Sequence, residues 1–321
     1  MVPKGMASKE MTPEEMLARL LYRDGLMLVI DKPAGFAVHR GPKGGESLED
    51  HFDALRFGLP RSPALAHRLD RDTSGCLVLG RHRKALAELG RLFKNGRVGK
   101  TYWALVEGGP EADEGRIELP LGRRDETRGW WMKPDPQGQP AVTTWRVMGR
   151  CSHRLATADS PARAIQAVGD ARATTSPLPL AGEGQGGGHL ERMHPPFPLP
   201  TPPPQAREGA GTASGEGAHH TSGTQGAVPR HLTWLALEPL TGRTHQLRVH
   251  CAEMGWPIVG DSIYGNAPRS GGPGLHLQAR EVVVPLYKKR DPIRVTAPAP
   301  LHMHERLRAC GWQGEVFTLV D

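Results

Sequence analysis

Residues 67–81 read His67-Arg68-Leu69-Asp70-Arg71-Asp72-Thr73-Ser74-Gly75-Cys76-Leu77-Val78-Leu79-Gly80-Arg81. Two carboxylates, Asp70 and Asp72, stand here among Arg68, Arg71, Arg81 and Arg83. The small residues 73–75 predict a tight turn. The continuous apolar run 76–79 behind it predicts a buried strand. Positive charge beside a carboxylate favours its ionised form. A carboxylate presented at a strand end can then serve as nucleophile, general base or metal ligand. The same residues would also make a solvated turn with surface ion pairs, which contribute little. The rest of the chain has to decide between the two.

Upstream, Thr12-Pro13-Glu14-Glu15 is a helix start: Thr12 caps, Pro13 suits the first helical position and Glu15 closes a capping box. That helix is expected to run to about Tyr22 and stop before Asp24-Gly25. Residues 26–30 predict a strand, 32–35 a turn and 36–39 a second short strand. Ser47 caps a helix to about Leu55, with Leu48, Phe52 and Leu55 on one face. Downstream, Leu86, Leu89 and Phe93 have helical spacing, and Lys94, Arg97 and Lys100 form a basic turn. Residues 101–106 alternate as a strand that puts Tyr102, Ala104 and Val106 on one face.

Further strands are expected at 117–119, 142–147, 232–237, 281–285 and 293–295. Thr244 is expected to cap a helix from His245 to about Met254, and Gly311 to stop a last helix over 301–310. Leu247, Val249 and Cys251 cannot share one helical face, so one side is expected in the core with Arg248 and His250 elsewhere. Arg123, Arg124, Arg128, Trp130, Trp131 and Lys133 form a basic aromatic patch, suited either to stacking on bases or to local packing. Short strands with a few helices predict an α+β domain on a mixed, mostly antiparallel sheet.

The chain has 321 residues, enough for a sizeable core, and a formal charge of +7. An excess of Lys and Arg suits a polyanionic partner, nucleic acid before membrane. The four cysteines, Cys76, Cys151, Cys251 and Cys310, contain no Cys-x-x-Cys pair, which argues against a disulfide framework or a zinc site and for the cytosol. No signal peptide is visible in the first 16 residues, and the apolar run 26–30 is too short to span a bilayer.

Residues 151–230 differ in kind. They hold 11 Pro and 12 Gly, a single aromatic (Phe197), and 6 basic against 6 acidic residues. Such a stretch cannot bury enough apolar surface to offset its conformational entropy and reads as a disordered insertion. Closing so long a polar loop costs little extra entropy. Its electroneutrality argues against an RNA-gripping arm. The expected organisation is an N-terminal extension with a short helix at 1–23, a catalytic domain in two parts at 24–150 and 231–321, and the insertion between them.

The string His67-Arg68-Leu69-Asp70, followed by Thr73-Ser74-Gly75, resembles the signature of the RluA-like pseudouridine synthases, which isomerise uridine in ribosomal or transfer RNA. The other family elements follow in order. Val29-Ile30-Asp31-Lys32-Pro33-Ala34-Gly35 is similar to the first motif, and Lys100-Thr101-Tyr102 to the Lys-x-Tyr element. Gly138-Gln139-Pro140-Ala141-Val142-Thr143 resembles the segment opening the middle strands. Leu240-Thr241-Gly242-Arg243-Thr244-His245-Gln246-Leu247-Arg248-Val249-His250 resembles the third motif, and Gly260-Asp261-Ser262-Ile263-Tyr264-Gly265 the loop after it.

The resemblance implies a curved mixed sheet with flanking helices and an RNA-binding cleft. It makes Asp70 the catalytic aspartate, Tyr102 the residue that stacks on the uracil, and Arg243 the arginine that pairs with the aspartate. Arg68, Arg71, Lys100, His245, Gln246 and Arg248 are the expected RNA or substrate contacts. Neither cofactor nor metal is expected, because the reaction only breaks and remakes a bond to C1′. The expected partner is rRNA or tRNA, bound by a cytoplasmic monomer. About 25 residues precede the first motif, too few for the S4 RNA-binding domain many relatives carry. Many relatives also have Leu-His-Ala in the late strand, where this chain has Leu277-Gln278-Ala279 with His276 displaced.

Two rival functions remain at this level. Asp70-Arg71-Asp72 fits the Asp-x-Asp of haloacid-dehalogenase-type phosphohydrolases, but there an apolar strand ends at the first Asp, whereas here it follows the motif. A non-catalytic RNA-binding protein of the same fold is the other, opposed by the presence of the candidate aspartate, tyrosine and arginine together.

Overall fold

A computed structural model describes residues 11–41, 44–124, 131–151 and 231–315. The first elements are helix α1 (Pro13–Leu17), strands β1 (Leu20–Arg23) and β2 (Met27–Lys32), a 3-10 helix (Leu48–Leu55), β3 (Ala64–Leu65) and β4 (Ser74–Gly80). Helix α2 (Arg83–Lys94) leads to β5 (Gly99–Glu107), β6 (Glu114–Glu118), β7 (Leu121–Arg123), β8 (Met132–Pro134) and β9 (Val142–Cys151). The second part contributes β10 (Leu232–Pro239), α3 (Gln246–Glu253), β11 (Leu277–Val284), β12 (Ile293–Thr296) and α4 (Leu301–Ala309).

Ten strands form one sheet in the order β1-β2-β4-β11-β5-β10-β9-β6, with β12 beside β11 and β3 beside β4; β7 and β8 make a separate ribbon. Within the large sheet β4 and β11 run parallel, and the other pairings are antiparallel. The α+β expectation and the mixed, mostly antiparallel sheet therefore hold.

The unbroken apolar run of β4 follows from its place in the sheet. Leu77 and Leu79 face a core made with Leu28, Ile30, Met16 and the 3-10 helix residues Leu48, Phe52 and Leu55. Cys76 and Val78 face the opposite core, with Met27, Val29 and α2 residues Leu89 and Leu92. A strand covered on both faces has no use for alternation. Each such side chain stabilises the fold by about 1.5–3 kcal/mol on burial. Farther along, Ala104, Leu235 and Leu237 pack on Leu247 and Cys251 of α3, while Leu105 and Trp234 pack on Met303 and Leu307 of α4.

Several local expectations need correction. The capping box on α1 is present, but the helix ends at Leu17, and Leu20–Arg23 pairs with β2 instead of continuing it. An apolar Leu-Leu-Tyr beside the open backbone of β2 gains more as an edge strand, where it satisfies that strand's N–H and C=O groups. Residues 36–39 are not a strand; the carbonyls of Ala37 and Val38 accept the first N–H groups of the 3-10 helix. Helix α3 is buried all round from Gln246 to Cys251, so Arg248 and His250 lie in the core rather than outside it. Its N-cap is His245, in the left-handed region at φ 53, not Thr244.

Cys151, placed with the insertion on composition, is the buried end of β9. The remainder of that expected disordered segment, 152–230, lies outside the described residues, as does the 125–130 portion of the aromatic patch. Among the described residues no helix is long and apolar enough to cross a membrane.

Candidate active site

The Asp70 loop is fastened from below. Lys32, fully buried at the end of β2, donates from Nζ to the carbonyls of Pro33, Arg71 and Thr73, each at 2.8 Å. Burial pushes its pKa down to about 7, opposed by Asp72, Asp70 and Asp31. The Gly35 N–H and the Arg71 carbonyl join at 2.9 Å, and Arg71 Nε returns a bond to the Gly35 carbonyl at 2.8 Å. His67 accepts the Val78 N–H at its Nε2 (3.0 Å) and stacks on Phe93 at 4.4 Å. That nitrogen must be unprotonated, consistent with burial driving the His67 pKa down to about 3. Gly75 then allows β4 to run against β11: at φ 102, a Cβ there would come within 2.2 Å of the Ala279 carbonyl oxygen.

Above this loop opens a cavity of ≈ 550 Å³. Asp70, Arg68, Lys94, Lys100, Tyr102, Arg243 and His245 all line it, although the last two are about 170 residues from the first. A smaller recess of ≈ 320 Å³ adjoins it, sharing Arg68, Asp70 and His245 and adding Arg40 and Arg71. Tyr102 rises from β5, and burial together with the Asp70 charge raises its pKa, so the phenol keeps its proton. Burial lowers the Lys100 ammonium's pKa.

Two of the expected contacts stand differently. Among the described residues the basic side chain within 4 Å of the Asp70 carboxylate is the His245 imidazole, with Nε2 3.8 Å from Oδ2. Arg243, expected to pair with Asp70, instead donates from Nε to the Pro140 carbonyl at 3.1 Å. Arg248, expected on RNA, is 3% exposed and forms a two-pronged pair with Asp261 at 2.8 and 2.7 Å. A guanidinium taken into the core has to be paired there, and Arg248 meets Asp261 while still bordering the cavity. Burial works against both charges, but the pairing raises Arg248 and lowers Asp261.

Gln246 is similarly committed. Its Oε1 accepts from Thr241 Oγ1 (2.7 Å) and the Arg243 N–H (3.1 Å), while Nε2 donates to the Val142 carbonyl (2.9 Å) and to Thr143 Oγ1 (3.0 Å). It borders the cavity and shapes the 241–245 turn. In the late strand Leu277 lines the cavity, while the buried Gln278 donates to the Pro298 and Ala297 carbonyls and His276 meets the Gly274 carbonyl. The Trp131 ring carries Arg124 and Arg269 at 5.9 and 5.4 Å.

Lys32, His67, Asp261 and Tyr264 escaped the sequence reading as site residues, although each sits in a quoted motif. A lysine closing an apolar run was a signal for Lys32; nothing local marked Tyr264.

A family model described as RNA pseudouridylate synthase matches residues 26–253, which span both walls of this cavity. The chain belongs to that family. Its members are isomerases acting on RNA. An uncharacterized RNA pseudouridine synthase of Zymomonas mobilis is 31% identical over 284 residues, covering 88% of this chain and 94% of that protein. The ribosomal large subunit pseudouridine synthase C of Vibrio cholerae is 26% identical, covering 90% of this chain and 68% of the relative. The tRNA pseudouridine synthase C of Salmonella typhimurium is 25% identical, covering 93% and 92%. The fold matches that of human RNA pseudouridylate synthase domain containing 1, with a TM-score of 0.57 at 22% identity over 96% of this chain and 93% of that one.

Proposed function

We propose that this pseudouridine synthase isomerises specific uridines of large-subunit rRNA, tRNA or both, with Asp70 as the carboxylate that opens the reaction. The observation that carries the reading is the convergence of Asp70, Tyr102 and Arg243 from three distant segments on one cavity. The relatives named for ribosomal and for transfer RNA support either target. In this reaction the bond from C1′ to N1 breaks, the uracil turns, and C1′ joins C5. The C5 proton leaves and N1 gains one, so atoms and electrons balance within the substrate without an oxidant or imported group.

Each residue then has a task. Asp70 reacts with the nucleoside. Tyr102, protonated, offers its ring as a stacking face for the detached uracil. Arg243, held at the rim by Pro140, supplies guanidinium donors to the substrate. Arg68, Arg71, Lys94 and Lys100 hold phosphates around a flipped-out nucleotide, offsetting an unstacking cost of about a few kcal/mol. Their contacts make binding weaken with salt. The protein works as a cytoplasmic monomer on this reading.

Tritium at uridine C5 of bulk rRNA or tRNA tests the proposal. The purified protein releases it without added cofactor, and Asp70→Asn lowers release by about 10²–10⁴-fold or more while RNA binding persists. No release by the wild type, or normal turnover by Asp70→Asn, would overturn it.

A further inference from the structure

Asp70 Oδ2 has His245 beside it, and His245 is itself held from behind. Its Nδ1 lies 2.9 Å from the Tyr264 hydroxyl, and that hydroxyl accepts the Met132 N–H, also at 2.9 Å. With its lone pair toward Met132 in use, the phenol has a single proton to give, and Nδ1 is placed to accept it. A neutral imidazole that accepts at Nδ1 carries its hydrogen on Nε2. Nε2 is the nitrogen that faces Asp70. In the opposite tautomer two N–H groups would converge on the phenol oxygen and a nitrogen lone pair would confront the carboxylate.

The support behind Tyr264 is rigid. Asp261 Oδ1 accepts the N–H groups of Ile263 and Tyr264 at 2.9 and 3.0 Å while it holds Arg248. The Arg248 guanidinium lies 5.4 Å from the Tyr264 ring centre. The left-handed backbone at His245, uncommon for a residue with a Cβ, is the kind of strain that persists when its surroundings over-determine it. Burial lowers the His245 pKa, opposed by Asp70 and Asp261 and reinforced by Arg248 and Arg68, which favours the neutral ring this order requires.

We propose that Tyr264 is a positioning residue: by donating to His245 Nδ1 it fixes the Nε2–H tautomer, and that N–H orients the Asp70 carboxylate for attack. At 3.8 Å the last contact is longer than a hydrogen bond and closes when uridine enters, as catalytic contacts commonly tighten in the substrate complex. A neutral donor suits the task, since it holds one carboxylate oxygen while lowering the basicity of the other less than a full cation would. The inference rests on Asp70 being the reacting carboxylate.

Nitrogen-15 NMR of the imidazoles, with the His245 signals assigned by their loss in His245→Gln, reads the tautomer in the intact protein without any assay. The wild type is expected to show Nε2–H, and Tyr264→Phe a mixture of both forms. In tritium release, Tyr264→Phe is expected to lower kcat by about 10–100-fold, as loss of an orienting outer partner does, with KM nearly unchanged. His245→Gln, whose amide can still donate, is expected to exceed His245→Ala in kcat; both bear the same left-handed backbone, so strain cancels in the comparison. An Nδ1–H tautomer in the wild type, an unchanged kcat in Tyr264→Phe, or equal kcat for Gln and Ala at 245 would each overturn the proposal. Absence of tritium release by the wild type would instead overturn the reading of Asp70, and the NMR result would still decide the hydrogen-bond order.

Discussion

The two walls of the cavity are held in place by opposite means. The wall that carries Asp70, residues 67–75, is secured through its backbone: Lys32 gathers three carbonyls, Arg71 exchanges bonds with Gly35, and His67 takes the Val78 N–H. These fasteners hold main-chain atoms, so the Arg68, Asp70 and Asp72 side chains between them stay outside the core. The wall formed by residues 241–264 is secured through side chains. Gln246 organises the turn, Arg248 and Asp261 pair in the core, and Tyr264 reaches back to His245. The first arrangement frees side chains for chemistry; the second consumes them. That is why Arg248 and Gln246, which look like free RNA contacts in the sequence, have their polar groups engaged by partners within the protein.

The contrast makes a ranked set of predictions. Asp261→Ala leaves Arg248 as an unpaired buried charge, and an unfolding titration in urea should show a loss of about 3–5 kcal/mol. Lys32→Met keeps the volume and deprives three carbonyls of their donor, so the same titration should show a smaller loss, about 1–3 kcal/mol. A Lys32→Met protein less stable than Asp261→Ala would break the comparison, because the backbone-fastened wall would then be the more dependent on its buried charge. The sharper distinction is in activity: Asp261→Ala should also impair tritium release, since the loop bearing Tyr264 loses its acceptor.

A third test is in pH. His67 has its pKa depressed from an ordinary 6.5 to about 3, first by burial and then by Lys100. The unfolded chain therefore takes this proton before the folded one does. The stability that neutral His67 contributes is complete above about pH 6.5 and is lost as pH falls toward about 3. His67→Gln keeps an acceptor for the Val78 N–H and does not titrate. Its melting temperature should fall less steeply than that of the wild type between pH 6 and 4; identical slopes would remove His67 from the list of fasteners.

Much of the first wall was legible in advance. Asp70 at a turn and the apolar strand behind it are neighbours in the chain, so local spacing carries their geometry, although the turn closes over 70–73 and Ser74 and Gly75, expected in it, already belong to β4. Motif resemblance marks Tyr102, and strand alternation adds only that it shares a face with Ala104 and Val106. The short α1 was misread because its cap is local whereas its end is set by pairing with β2, a competition that propensity does not report. Residues 36–39 were misread for the same reason, their carbonyls being taken by the 3-10 helix rather than by a strand. Arg243 was assigned to Asp70 by motif resemblance, while its place against Pro140 depends on a contact 103 residues away.

By itself the sequence determined the class of fold and the order of the motifs, because these are written in composition or in spacing within a few residues, and motif resemblance singled out the candidate carboxylate. The tertiary structure alone decided which charges stay available. An arginine on an amphipathic-looking segment reads the same whether it ends in water or in a buried pair, and only the three-dimensional neighbourhood, here Asp261 against Arg248 and Tyr264 behind His245, distinguishes a side chain that meets substrate from one that holds another in place.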